Sequence, residues 1–235
     1  SWEPVRSDDK CRGKCKKLTQ RTIIELCCED DSRMGRRAPK TCEVKRFTKS
    51  VDMTSGEGLA AAILAVENSP NCLIWIAVPC TGGSSFQRIN QKYKSHRVRM
   101  RKHRQLFDAL WSAVEIVADA CVKAGGRIAM EWPTGCSYWH EAKVRKFLAK
   151  HFLDQVNVHG CAMGLMDENL GLPVFKPWTI ATNCPQIVHQ LKDKRCTRDH
   201  EHAICKGAVA LESGSYTDEM VNLVHEGWAR EVGET

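Results

Sequence analysis

The clearest regularity along the chain is an alternation between short runs that are apolar at every position and longer stretches that are apolar only every third or fourth residue. Residues 72–78 (CLIWIAV) are apolar on both parities and end at Pro79, as a central parallel strand covered on both faces requires. Residues 22–27 (TIIELC) form a similar run, followed by a polar turn with Asp30, Asp31, Ser32 and Gly35; residues 41–47 suit a second strand. Residues 58–67 (GLAAAILAVE) have helical composition and period. Over residues 103–123 the apolar positions Leu106, Leu110, Val114, Val117 and Cys121 mark an amphipathic helix, which Gly125-Gly126 stops. A strand follows over 127–130, running into Glu131-Trp132-Pro133, then a helix over 140–151 and a strand over 156–159. Beyond Gly160 the pattern is less regular until a last helix over 217–231.

Strands alternating with helices imply an α/β fold, a doubly wound, mostly parallel sheet with helices on both faces. In such sheets ligands bind at the carboxyl ends of the strands. Three chemically loaded segments fall there: residues 25–35, 79–90 and 131–139. The expected organisation is a flexible basic leader over 1–20, which includes Cys11 and Cys15, and one domain over 21–235. Within that domain, 175–207 is a Cys/His-containing segment that either binds zinc or contacts nucleic acid.

Composition narrows the class. With 235 residues, 43% hydrophobic and 27% charged, the chain has ordinary globular usage. No stretch approaches the roughly 18 consecutive apolar residues of a membrane span, and no secretory apolar region is present. The expectation is a soluble intracellular protein, nuclear or cytoplasmic, with no membrane partner. The chain opens on Ser1 rather than Met, which suits a segment cut from a longer polyprotein. Thirteen cysteines in a chain of this size read as reduced thiols rather than a disulfide scaffold.

The net charge of +7 is concentrated: from Lys92 to Arg104 there are seven Lys or Arg, two His and no acid. A run of this kind is either a solvated helix face or the footprint of a polyanion, nucleic acid above all. Its place directly after the Pro79-Cys80-Thr81-Gly82-Gly83 loop favours the second reading, with Arg97, Arg99, Arg101, Lys102 and Arg104 as contacts.

Cys80 follows a buried strand on a glycine-containing loop, where backbone amides lower a thiol's pKa and a ligand can approach closely. Glu131 ends the neighbouring strand and should face the same crevice. A thiol that attacks an aromatic ring needs an acid to hold that ring, and this pair supplies both. The aromatics divide: Trp75 and Trp111 lie in apolar elements and read as core, whereas Trp132, Tyr138 and Trp139 flank the carboxylate and suit either core packing or stacking on a base. Cys196, His200, His202 and Cys205, with Cys184 upstream, offer soft and borderline ligands for a structural zinc. Asp199 and Glu201 stand between them for contacts to the imidazoles. The alternative is a polar loop whose histidines contact phosphates or backbone.

In this order, a strand with a Pro-Cys loop and a strand with Glu131-Trp132-Pro133 resemble the cytosine-5 methyltransferases, which use S-adenosylmethionine. More narrowly the chain is similar to divergent phage and mobile-element relatives with a PCTGGS-like loop and an EWP segment, from about Ile23 to the final helix. The resemblance implies a Rossmann-like methyltransferase fold and a DNA substrate rather than RNA. In it, Cys80 adds to cytosine carbon 6, Glu131 contacts ring nitrogen 3 and the exocyclic amine, and carbon 5 takes the methyl group. Asp52 lies where the family has an acid that contacts the adenine of the cofactor, and Glu25, Cys27, Ser32 and Pro79 border the expected cofactor site. The sequence departs from the family in a first motif without glycine until Gly35, and in having no separate target-recognition domain. Lys176 is the nearest counterpart of the family's base-contacting Arg strand. Those departures suit an alternative: a catalytically degenerate, nucleic-acid-binding module of a viral or transposon polyprotein. A different thiol chemistry, hydrolase or protease, is a third.

Overall fold

A computed structural model describes residues 21–84, 87, 93–205 and 214–234. The leader expected over 1–20, with Cys11 and Cys15, lies outside the described residues, as do Lys92 and the end of the 175–207 segment.

The apolar runs become β1 (Arg21–Leu26), β2 (Cys42–Phe47), β3 (Leu73–Ile76), β4 (Arg127–Pro133) and β5 (Asp154–His159). Between them lie α1 (Arg33–Arg36), α2 (Gly56–Glu67), α3 (Lys94–Lys123) and α4 (Ala142–Lys150). A small hairpin, β6 (Met166–Asp167) and β7 (Leu172–Pro173), precedes β8 (Pro177–Thr182), α5 (Pro185–Leu191) and α6 (Asp218–Glu231). The main sheet has the order β2-β1-β3-β4-β8-β5. β1 to β4 are parallel, and β8 is antiparallel to both neighbours, so β5 points the same way as β4. This is an α/β fold with a mostly parallel, doubly wound sheet. No helix among the described residues is long and apolar enough to cross a membrane.

Both faces of the central strands are covered, as their composition requires. On one face Ile24, Leu26, Ile74, Ile76, Ile128 and Met130 pack under α2, α3 and α4. On the other, Ile23, Leu73, Trp75, Ala129 and Ile180 pack under α5 and α6. The strict alternation is the period of two of an extended chain, and it decides the fate of the Glu131-Trp132 pair. Trp132 falls on the α3 face, among Phe107, Trp111 and Trp139 with ring centroids 5.0 to 6.0 Å apart, and its Nε1 donates to the Val78 carbonyl at 2.7 Å. Only 2% of it is exposed, and Tyr138 and Trp139 are buried with it. The expected stacking of Trp132 on a base is therefore corrected: its ring is packed in the core.

Two further corrections concern elements. β8, in a stretch that reads as irregular, is a six-residue strand between β4 and β5. The helix expected over 103–123 begins at Lys94, so residues 94–104 of the basic run form its first turns.

A core role for Trp132 predicts that Trp132→Ala lowers the unfolding free energy by about 3–5 kcal/mol in urea. An exposed stacking residue would cost within about 0.5 kcal/mol.

Candidate active site

The strand order reverses between β1 and β3: β2 lies on one side of β1, and the chain then crosses to build outward from β3. The carboxyl ends on either side of such a switch point splay apart and leave a crevice. Here the crevice is a cavity of about 420 Å³, within the usual range for small-molecule sites. Its walls are the end of β1 with the following turn, the loop after β3, the end of β4, and Gly214, Ser215 and Tyr216. Cys80, Glu131, Glu25, Cys27, Ser32 and Pro79 all border it.

Glu131 is the most perturbed acid of the site. It is 8% exposed, and burial raises its carboxyl to about 7 against the opposing pull of the Lys176 ammonium and the Tyr216 hydroxyl. Oε2 accepts from the Tyr216 hydroxyl at 3.1 Å, and that hydroxyl accepts from Trp75 Nε1 at 3.1 Å. Oε1 is buried and has no hydrogen-bond partner among the described residues. A buried oxygen left in this state costs free energy that water or a ligand would relieve.

Cys80 is half-buried at the head of a 3-10 turn over Thr81–Gly83. Burial, then the Glu131 charge, pushes its thiol up, and Lys176 opposes them. The thiol is therefore raised, not lowered as expected of a loop rich in backbone amides. Lys176, just before β8, is itself shifted down by burial, with Glu131, Cys205 and Cys80 opposing the shift. The antiparallel return of β8 along β4 is what brings it beside Glu131.

The glycines of the loop set its position. A Cβ on Gly83 would lie 2.7 Å from Cys136 Sγ and 2.9 Å from the Tyr138 ring, and one on Gly82 would meet the Tyr138 hydroxyl. Tyr138 cannot yield, because it is stacked on Phe107 at 3.7 Å. The loop lies flat on this aromatic layer only without side chains at 82 and 83.

Of the residues expected at a cofactor site, Glu25 and Ser32 are brought together and hydrogen-bonded to each other. Glu25 is buried on the same face as Glu131, and burial raises its carboxyl. Cys27 adopts φ +62°, the left-handed conformation that favours glycine. The tight turn after β1 is thus made without the glycine that the first motif lacks. Asp52 is corrected: it lies outside the cavity, exposed, with Oδ1 accepting from Thr54 N at 2.9 Å and Thr54 Oγ1 at 2.7 Å. It closes its own turn before α2.

Beside the loop lies a larger groove of about 760 Å³ between Gly82–Ser84 and the first turns of α3. Arg97, Arg101 and Arg104 line it, because positions three and four apart share a helix face. Arg99 and Lys102 are exposed but do not line this groove, which corrects the undivided basic run. His96 was not singled out by the sequence and is buried in the groove wall, with Nε2 donating to the Gln87 carbonyl at 3.0 Å and Nδ1 accepting from Arg99 at 3.2 Å.

The Cys/His segment forms a separate cluster. Cys161, Cys196, His200 and His202 place one donor atom each within 4.8 Å of the others, an arrangement that can hold a metal ion. Three of these come from the expected set; Cys161, which reads in sequence as a small apolar residue, is the fourth. Cys184 is corrected: it is fully buried at the head of α5, beyond the opposite end of β8, about 20 Å along the strand from the cluster. Cys205 is also outside the cluster and lies near Lys176. Tyr216, Gly214 and Ser215 escaped the sequence reading because no periodicity or motif surrounds them.

Comparison with protein-family models, with curated proteins and with solved structures gives no match to this chain.

Two outcomes follow from this geometry. The Glu131 carboxyl titrates at 4.5 when unfolded and at about 7 when folded, so between these values the native state holds the extra proton and stability falls as pH rises. Glu131→Gln should flatten that decline by up to roughly 3 kcal/mol in urea unfolding followed from pH 5 to 8; an unchanged slope would contradict the burial of the charge. For the groove, converting Arg97, Arg101 and Arg104 to Gln should weaken oligonucleotide binding and lower the salt slope by about one per lost phosphate contact. Converting Arg99 and Lys102 should do so less, as read by fluorescence anisotropy at several salt concentrations.

Proposed function

We propose that this chain is a methyltransferase of the cytosine-5 type, acting on cytosine in nucleic acid, DNA rather than RNA, through a covalent Cys80 adduct. The observation that carries the reading is the convergence of Cys80 and a buried Glu131, one carboxylate oxygen unpartnered among the described residues, in one cavity at the switch point of the sheet. The order of the Pro-Cys and Glu-Trp-Pro segments supplies the chemical identity.

In this reading Glu131 works as an acid. With its carboxyl near 7 it is substantially protonated at neutral pH, so Oε1 can hydrogen-bond to ring nitrogen 3 of a cytosine while Oε2 keeps Tyr216. Cys80 Sγ gives up its proton to solvent and bonds to carbon 6. The electron pair of the 5,6 double bond moves into the 4,5 bond, the 3,4 pair moves onto nitrogen 3, and nitrogen 3 takes the Glu131 proton. Carbon 5 becomes nucleophilic. After it gains the methyl group, carbon 5 loses its hydrogen to solvent as a proton, carbon 6 expels Cys80 as a thiolate to restore the 5,6 double bond, and nitrogen 3 returns its proton to Glu131. The Lys176 ammonium favours the thiolate, offsetting part of the burial that opposes it.

S-adenosylmethionine, when bound, supplies the electrophilic methyl group. The donors fit its charged end: Glu25 is a buried carboxyl raised by desolvation, with Ser32, Cys28 and the Arg46 charge favouring its ionised form, and an added ammonium would favour it further. Asp52, the acid expected at its nucleoside end, faces solvent instead. That mismatch and the raised Cys80 thiol favour the second reading, a degenerate module that retains the groove and binds nucleic acid without methyl transfer. Two thiols and two imidazoles match the ligand preference of zinc, which we propose for the Cys/His cluster.

Transfer of labelled methyl from S-adenosylmethionine to duplex DNA, single-stranded DNA and RNA tests the reading. Label should appear in 5-methylcytosine, with DNA ahead of RNA, and vanish in Cys80→Ser. Label retained in that variant would overturn the covalent route; no cofactor heat in calorimetry at millimolar concentration would establish the degenerate one.

A further inference from the structure

The Cys/His cluster sits where the last parallel strand ends. Cys161 lies in a 3-10 turn over Gly160–Met163, directly after β5, and the other three donors come from the loop after α5. The two halves are joined by a bond from Cys196 N to His159 Nδ1 at 2.8 Å. In an extended segment His200 and His202, two apart, would point to opposite sides. Here the backbone turns, with Arg198 held at φ +62°, and both imidazoles present Nε2 to Cys196 Sγ, at 3.7 and 3.3 Å.

Those separations have a simple meaning. A tetrahedral zinc with Zn–S of about 2.3 Å and Zn–N of about 2.05 Å holds sulfur and nitrogen roughly 3.6 Å apart. The atoms around the ligands complete the picture. His200 Nδ1 is bonded to Asp199 Oδ1 at 2.8 Å, which makes Nδ1 the donor and leaves Nε2 its lone pair for a cation. Asp199 is held in turn by Thr197 Oγ1 at 2.6 Å. The Arg198 amide donates to Cys196 Sγ at 3.2 Å and fixes the sulfur in place.

The cluster also encloses the strand that leads to Lys176. Gly160, next to Cys161, donates to the Lys176 carbonyl at 2.8 Å. Ala203, next to His202, donates to the Pro173 carbonyl at 2.9 Å and bridges to Val174. Between them the Phe175 ring lies against His159 at 4.7 Å and His202 at 5.4 Å. Residues 173–176 are thus gripped on both sides by neighbours of the donor residues.

We propose that Cys161, Cys196, His200 and His202 bind zinc in a closed, four-coordinate structural site that clasps residues 173–176 and so positions Lys176 beside Cys80 and Glu131. Four protein donors leave no open position, so the metal acts on the fold. The metal site stands on its own geometry; its effect on Lys176 rests on the Cys80–Glu131 site proposed above.

Metal analysis of the full chain should find one zinc per molecule, lost in Cys196→Ser and retained in Cys205→Ser and Cys184→Ala. Cobalt in its place should give the visible bands of a tetrahedral site with a thiolate charge-transfer band. No bound zinc after growth with added zinc, together with no such cobalt spectrum, would overturn the site. For the clasp, the pH dependence of Cys80 alkylation by iodoacetamide is followed by mass spectrometry of its peptide. Cys161→Ser should shift the profile to higher pH in the same sense as Lys176→Met, and the double variant should add nothing. Wild-type protein stripped of zinc by a chelator gives the same reading if the variant does not fold. A profile unmoved by zinc removal would overturn the clasp. Methyl transfer enters neither measurement, so a negative transfer assay leaves both results standing.

Discussion

Holding a carboxylate at the inner end of β4 forces most of the arrangement around it. Glu131 cannot recover its lost hydration from the strand itself, whose backbone is committed to β3 and β8. It is kept by three means: a raised pKa that lets it carry a proton, a hydroxyl from Tyr216 that is itself fixed by Trp75, and the Lys176 charge delivered by β8. Each comes from a different part of the chain, and one oxygen is still unsatisfied among the described residues. The cavity opened at the switch of strand order is thus lined by a carboxyl that is both buried and incomplete.

The opposite face of the same strand explains why the thiol sits where it does. Trp132 points away from Glu131 into an aromatic layer with Phe107, Trp111 and Tyr138, and this layer is the floor on which the Cys80 loop rests. Tyr138 packs so closely on Gly82 and Gly83 that the loop has one position available to it. Cys80 and Glu131 are therefore set by two sides of one strand, the carboxyl directly and the thiol through the layer beneath its loop. The groove beside the loop continues the same surface onto α3, where three arginines at helical spacing face it. A polyanion held there would run past the mouth of the cavity.

At the far edge of the sheet the Cys/His cluster ties the irregular segment after β5 to the strand that returns along β4. The stretch between β5 and β8 is ordered in addition by a small hairpin and by Met163, Leu165 and Val174, which are buried in the core.

Much of the architecture is legible in the sequence because it rests on local periodicity. The apolar runs of β1 and β3, the helix spacing of α3 and the turn glycines are properties of neighbouring residues, and they suffice for the parallel sheet and for placing Cys80 and Glu131 at strand ends. What the period of two also contains, that Glu131 and Trp132 must face opposite ways, becomes informative only once both faces are known to be covered. β8 has no signature of its own, since its strand state comes from pairing with two distant neighbours. Cys161 looks apolar and Tyr216 looks incidental, because their roles depend on partners roughly 35 and 85 residues away. Asp52 shows the converse: a carboxylate in a suggestive place turns to its own backbone when the cavity opens on the other side of β1. Sequence alone determined which elements form and which residues stand at their ends; the tertiary structure decided which of those residues meet, because burial and pairing across the sheet are long-range and leave no local trace.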